Sequence, residues 1–399
     1  MDLRVLKLAT RVINQSNRDR PADSVLRTEL KSQEGLPREY GRIISRAVFS
    51  YYRWLGWLDR NLKLSDQLLA ALALADRYAK DPASFTDDEL MSKAVPAWLT
   101  EHVTLTPGWV RAIQAEPVLW LRAKTGQGPA LAERLGDCEI AGPGLMNDSV
   151  RYKGPQDLYR TEAFQAGDFE LQNIHSQAVG WLCQPRRGEA WWDACAGEGG
   201  KLLHLSDLMR NKGLIWATDR LPARLKRLKY RAGRAKVFNY RATIWDGGAK
   251  LPIDVKFDGV LLDAPCTNIG TWQRNPHARW TSTPTDVKEL GVLQQRLMGY
   301  AAAAVKPGGK LVYAVCTLTR EETSEVAAAF EARFPDFKPL AVPDPFGAKP
   351  EPSAHHSFYP YERGGNGMFV ALWRRDNPEP PPSPPAEAAP AAAPAPAGA

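Results

Sequence analysis

The 399-residue chain is 44% aliphatic and aromatic, and its 52 Lys and Arg against 45 Asp and Glu leave a net charge of +7. That length suffices for two or three domains with cores of their own, and the lack of any apolar run of about eighteen residues argues against a membrane-spanning helix. Five cysteines, an odd number with neither metal-ligand spacing nor a Cys-x-x-Cys pair, argue against a disulfide framework and for a reducing, cytoplasmic setting.

The opening Met1-Asp2-Leu3-Arg4 lacks the continuous apolar stretch of a signal peptide. Leu3, Leu6, Ala9, Val12 and Ile13 then recur at helical spacing. From Arg42 to Leu58 the pattern repeats through Ile43, Ile44, Ala47, Val48, Tyr51, Leu55 and Leu58. Arg42, Arg46 and Arg53 are left to face outward, as a stripe for phosphates or simply as a solvated face. Asp66 to Ala79 is a further leucine-alanine helix, so residues 1–80 are expected to form an all-α domain. The polar stretch Lys80–Glu89 reads as a linker. Pro96 to Leu158, with Trp98, Trp109 and Trp120, mixes helical and strand-like runs, so 81–150 is expected to be a linker and a small α/β segment.

Residues 151–375 alternate strands and helices, the signature of an α/β, Rossmann-like, mostly parallel sheet. Strands are predicted at Glu189–Cys195, Leu214–Asp219, Ala235–Tyr240, Phe257–Ala264 and Lys310–Cys316. Leu290, Leu293, Leu297 and Ala301 mark a helix that Pro307-Gly308-Gly309 should stop. Two late strands, near Lys338–Val342 and Met368–Trp373, are expected to close the sheet as a hairpin pair. His355-His356 reads as a surface loop, and the Pro/Ala-rich 376–399 as a disordered tail.

Within that domain Asp193, Ala194, Cys195, Ala196, Gly197, Glu198, Gly199, Gly200 and Lys201 lead from an apolar strand into a helix carrying Leu202, Leu203, Leu205 and Leu208. Such a turn lets backbone approach a ligand closely, though a glycine-rich turn alone is a weak signal. Asp219 ends the following strand, where an acid binds ribose hydroxyls or caps the next helix. Further on, Asp263-Ala264-Pro265-Cys266 and Val315-Cys316-Thr317-Leu318 each bring a cysteine to the end of a buried strand. Ligands of open parallel sheets bind at that edge. Each thiol alone reads as a small buried hydrophobe; the pair behind a glycine-rich loop reads as a chemical site.

These residues resemble the Sun/Fmu (Nop/Sun) family of S-adenosylmethionine-dependent RNA cytosine-5 methyltransferases. The resemblance runs from about Arg151 to Arg374 and includes Gly167–Gln172, Asp246 in Ile244-Trp245-Asp246-Gly247, Gly270, and Glu321-Glu322 behind Cys316. The chain departs from the pattern at Ala196-Gly197-Glu198, where Ala-Ala-Pro is usual, at Asn173 in place of an acid, and at Asn366 in place of Asp. The N-terminal helices resemble, more loosely, the NusB-like RNA-binding domain of some bacterial members.

The resemblance implies that Cys316 is the nucleophile on carbon 6 of cytosine, that Cys266 assists release, and that Asp263 binds the ring. It implies a cofactor set of residues 193–201 with Asp219, Arg224, Asp246 and Asp263. Lys201 either raises the positive potential near the thiols or is a solvated first-turn lysine. Arg274, His277, Arg279 and Trp280 form a loop that either grips RNA or packs on its neighbours. The expected partner is RNA, ribosomal before transfer RNA, with no membrane and a monomeric state. Two rivals stand beside this reading: a DNA cytosine methyltransferase, which gives Cys316 no role, and a non-catalytic RNA-binding or ribosome-assembly factor.

Overall fold

A computed structural model of the protein describes residues 2–33, 35, 37–252, 254–347 and 353–377. The expected disordered tail therefore lies, from residue 378, outside the described residues.

Six α-helices build the N-terminal part: Leu3–Gln15, Ala22–Ser32, Arg38–Arg53, Leu64–Lys80, Asp87–Lys93 and Pro107–Gln114. The first buries Ala9, Val12 and Ile13 as expected, but Val5 and Leu8 join them while Leu3 is exposed, so the apolar face is turned somewhat from the expected one. Trp54, Tyr78 and Phe85 pack together at the centre. Phe85 is fully buried, so the stretch expected to be a linker is core. One apolar cluster runs from Val5 to Ile113, past the predicted boundary at residue 80. Polar composition misled there because a single buried aromatic ring anchors an otherwise solvated segment.

Four strands follow: β1 (Leu119–Ala123), β2 (Cys138–Ile140), β3 (Ser149–Tyr152) and β4 (Phe169–Leu171). They form an antiparallel sheet in the order β2-β3-β1-β4 around Leu121, Val150 and Phe169. This small sheet crosses the expected boundary at residue 150.

The main sheet contains β5 (Ala190–Asp193), β6 (Leu214–Asp219), β7 (Tyr240–Ile244), β8 (Phe257–Asp263), β9 (Val305–Val315), β10 (Phe337–Pro339), β11 (His355–Phe358) and β12 (Met368–Arg375). Its order is β10-β12-β9-β8-β5-β6-β7, with β11 also paired to β12. Strands β5 to β9 are parallel, and β12 enters antiparallel beside β9. This is the expected α/β, Rossmann-like sheet, with one strand more than predicted. His355 and His356, read as loop, pair with Ala371 and Val370 in it.

The third strand starts at Tyr240 and not at Ala235, because Lys236 adopts a positive φ and Phe238 points into solvent. Pro307-Gly308-Gly309 does not terminate a helix. The helix Pro284–Ala303 has already ended, and these residues are bulged out of β9, which jumps from Val305 opposite Phe257 to Lys310 opposite Gly259. Among the described residues no helix is long and apolar enough to cross a membrane.

Candidate active site

Strand β5 has β6 on one side and β8 on the other, so the direction of winding reverses between β5 and β8. At such a switch point the connections leave to opposite faces and a crevice opens at the strand ends. Asp193 ends β5 and Asp263 ends β8.

Asp193 is buried, and neither carboxylate oxygen has a well-formed hydrogen bond. Burial, reinforced by the Asp263 charge, pushes its pKa up to about 7. A buried acid left in that state is suited to a cationic ligand group. Beyond it the chain turns through Gly197 and Gly199. Gly199, with φ +86°, precedes the helix Gly200–Leu208, and a Cβ there would meet Leu228 at 2.8 Å. The Gly197 amide donates to Asp219 Oδ2 at 3.0 Å, and the Leu221 amide to Oδ1 at 2.8 Å. Asp219 thus braces the loop and holds the amide of Leu221, the residue just before the next helix, with Arg224 3.8 Å away. Asp246 is exposed and accepts from the Gly248 amide at 2.8 Å, the Asx-turn use of an Asp-Gly pair. Glu198 pairs with Arg227. Burial pushes the Cys195 thiol well up, which leaves it inert.

The two departures from the family pattern outside the loop lie together. Asn173 caps the helix Ile174–Cys183 and accepts from the Asn366 amide at 3.0 Å, while the Asn366 carbonyl meets His175 Nδ1. The acid-to-amide replacements therefore share one buried hydrogen-bond group.

Lys201 Nζ donates to Asp263 Oδ2 at 2.6 Å and is nearly buried, so it is neither solvated nor remote from the thiols. Burial opposes its charge, but Asp263 and Cys316 more than offset that and hold its pKa above the ordinary value. Cys266 and Cys316, fifty residues apart in sequence, stand with their sulfurs 3.4 Å apart. Between them Asn268, in the left-handed region, accepts from Cys316 Sγ at 2.9 Å and donates to the Cys266 carbonyl at 2.9 Å. The two thiols differ: Cys266 is 8% exposed, and its hydrogen bond with Cys316, reinforced by burial, pushes its pKa far up; Cys316 is the more open.

The arginines expected on the surface have other partners. Arg53 is buried, donates to the Gln273 carbonyl at 3.0 Å, and has its pKa lowered to about 10 by burial. Arg46 pairs with Asp76 at 2.6 Å, and Arg42 donates to the Pro155 carbonyl. Of the three, Arg53 alone is taken into the face through which the helical unit docks; Arg42 and Arg46 face outward as expected, each engaged by a polar partner. The loop after Cys266 behaves likewise. Arg279 is fully buried, His277 stacks edge-on against Tyr52, and Trp280 donates to the Tyr52 carbonyl at 2.6 Å. Only Arg274 stays exposed among those four. Apart from Arg274, the loop packs on its neighbours, while Asp246 forms a turn through Oδ1 alone.

Residues 180–374 match the model of the 16S rRNA methyltransferase RsmB/F family. The chain is 33% identical over 329 residues to the ribosomal RNA small subunit methyltransferase B of Cronobacter sakazakii, covering 79% of this chain and 71% of that one. The chain belongs to the RsmB/F family. It is also 33% identical to the probable ribosomal RNA small subunit methyltransferase B of Bacillus subtilis, over 59% of this chain and 54% of the relative. The Shewanella oneidensis relative is spanned to 61%, so the chain accounts for little more than half the length of some relatives. Among solved structures, that of PH0851 superposes with a TM-score of 0.76 over 93% of this chain and 97% of its own, at 23% identity. A methyltransferase homolog protein from Pyrococcus horikoshii gives 0.58 over 67% of this chain and 90% of its own, at 28% identity. The fold and the family of methyltransferases expected from the motifs are thereby established.

Proposed function

We propose that the protein transfers the methyl group of S-adenosylmethionine to carbon 5 of a cytosine in ribosomal RNA, through a covalent bond between the base and Cys316. The observation that carries this reading is the inequality of the two touching thiols. Carbon 5 of cytosine is a poor nucleophile until something adds to carbon 6, and a thiolate both adds and leaves readily. Cys316 is the more open sulfur, and its Sγ is held by Asn268 Oδ1 at 2.9 Å at the mouth of the crevice. Cys266 keeps its proton and stands 3.4 Å away, suited to the release step. The DNA-methyltransferase rival requires Cys266 to attack, which its buried, protonated state disfavours.

When bound, S-adenosylmethionine supplies a methyl group on a sulfonium centre. The crevice fits such a molecule: Asp193 offers a lone buried carboxylate to its ammonium, and Asp219 has lone pairs left for ribose hydroxyls. Asp263, held by Lys201 through one oxygen, presents the other to the base. It stabilises charge that develops on the ring and prefers the amine edge of cytosine to the carbonyl edge of uracil. Residues 210–247 carry eleven Lys and Arg against two Asp, with Lys226, Lys229 and Tyr230 exposed on one helix, a surface suited to a polyanion.

The test is methylation of small-subunit ribosomal RNA from cells lacking the gene, read by bisulfite sequencing. Cys316→Ala should abolish the product. Cys266→Ala should accumulate a protein–RNA adduct that survives a denaturing gel. The opposite pattern would exchange the two roles, and full activity of both variants would reject the covalent route.

A further inference from the structure

One buried charge beside the thiols has no part in these steps. Glu322 ends the short turn Arg320–Glu322 and is fully buried. Its Oε1 accepts from the Thr267 amide at 2.9 Å and from Gln294 Nε2 at 3.1 Å. Its Oε2 accepts from the hydroxyls of Thr267, Thr319 and Thr317 at 2.5, 2.8 and 3.1 Å. Thr267 directly follows Cys266, and Thr317 directly follows Cys316. Gln294 also donates to the Pro265 carbonyl at 2.9 Å, on the other side of Cys266. From β9, Tyr313 donates to the Glu322 carbonyl at 2.7 Å, which fixes the backbone of the turn itself.

Burying a carboxylate is costly unless donors replace its water. Burial does push Glu322 above the ordinary range, while its donors from Thr267, Thr319 and Gln294 pull the other way. An ionised carboxylate accepts only, so it can serve all five donors at once, which neither an amide nor a hydroxyl can do. The five come from segments remote in sequence, and two of the segments carry the thiols. Neighbouring Cα atoms are about 3.8 Å apart across a rigid peptide, so a shift at Thr267 or Thr317 passes directly to its cysteine.

We infer that Glu322 is a positioning residue that sets the approach of Cys266 to Cys316 by tying the residue after each cysteine to one buried carboxylate. The inference rests on the two-thiol methyl-transfer reading for its purpose, but the tether itself can be tested without RNA. Glu322→Gln keeps the shape. Its amide nitrogen can face the three hydroxyls, but its two hydrogens serve only two of them, so one hydroxyl is left without its partner and all three lose their acceptor.

In methyl transfer, Glu322→Gln should lower kcat about tenfold or more, with KM for RNA and affinity for S-adenosylmethionine within about twofold of wild type. Thr317→Val, which removes one tether, should shift kcat the same way by less, and it carries the test if the glutamine variant folds poorly. In the RNA-free arm the probe is diamide. This azo compound takes up the two hydrogens of Cys266 and Cys316, becoming a hydrazine as the disulfide forms. Cross-linking, followed by peptide mass, should be about tenfold slower in Glu322→Gln. The inference is overturned if kcat and cross-linking both stay within about twofold of wild type, or if the loss sits wholly in KM or cofactor affinity. Glu322-dependent cross-linking in a wild-type protein that methylates no RNA would instead reject the proposed function and leave the tether standing.

Discussion

Arg279→Met is the sharpest test of how the helical unit is attached. The Arg279 guanidinium donates to the carbonyls of Ala94 at 2.7 Å, Ile113 at 3.0 Å and Arg53 at 3.2 Å, and to Gln114 Oε1 at 2.8 Å. No acid pairs with it among the described residues, and burial followed by the nearby Arg53 pulls its pKa far down. Methionine fills much of the same space without a charge or a donor. The Arg53 carbonyl keeps a second donor, Gln114 Nε2 at 3.1 Å, so three acceptors lose their partner. At about 1–3 kcal/mol per stranded buried group, the loss is about 3–9 kcal/mol. Removing a buried, unpaired charge returns several kcal/mol of desolvation, so the net is a smaller destabilisation, of up to about 5 kcal/mol. Urea unfolding followed by tryptophan fluorescence should show this loss, with RNA affinity unchanged wherever the variant is folded. An unmoved unfolding midpoint together with lost RNA affinity would refute the reasoning and return Arg279 to the RNA surface. A stabilised variant would mean that the desolvation cost exceeds the value of all its hydrogen bonds.

Two pH dependences follow from buried groups. Asp193, at about 7 in the free protein, must be ionised to pair with an ammonium, so S-adenosylmethionine affinity should fall about tenfold per pH unit below 7. Calorimetry should find that slope and its absence in Asp193→Asn; a flat wild-type profile would detach Asp193 from the ligand. His175 is held neutral by burial, with its pKa lowered to about 4 from 6.5. The unfolded chain then binds the extra proton, so the His175 contribution is intact above pH 6.5 and is lost as pH falls toward 4, to the extent of about 3 kcal/mol. Urea titrations at pH 7, 6 and 5 should find one proton less of dependence in His175→Asn, and an unchanged slope would reject the assignment.

Much of the sheet was legible because its strands are nearly continuous apolar runs. Leu214–Asp219 is found as predicted, and Phe257–Ala264 is one residue too long. The cysteine pair was legible too, since strand ends of a parallel sheet face one edge. Arg42 and Arg46 face outward as predicted, but the burial of Arg53 was not legible. Periodicity places Arg53 opposite Ile44 and Val48 but cannot reveal that another domain covers that face, and the same blindness applied to Arg279. Glu322 was visible only as part of a motif: nothing in a Glu-Glu pair says which acid turns inward, because that depends on Thr267 and Gln294, both remote in sequence. Asn268 was missed for a similar reason, its use depending on a left-handed backbone between two strands.

The helical unit has a consequence for how this protein can be divided. Ile269 and Trp272, just beyond Cys266, belong to the apolar cluster of Trp54 and Phe85 and not to that of the main sheet. On the other cysteine segment, the Arg320 amide donates to the His102 carbonyl at 3.0 Å, and His102 Nδ1 meets Glu321 at 2.5 Å. Both reactive segments therefore lean on one wall that the first third of the chain supplies. A fragment beginning near residue 115 would keep every residue proposed for chemistry, yet it would lose the backing of both thiols and expose a tryptophan to water. Genes that recombine at that seam would inherit the parts of the site without its alignment, so the two portions are expected to travel as one unit.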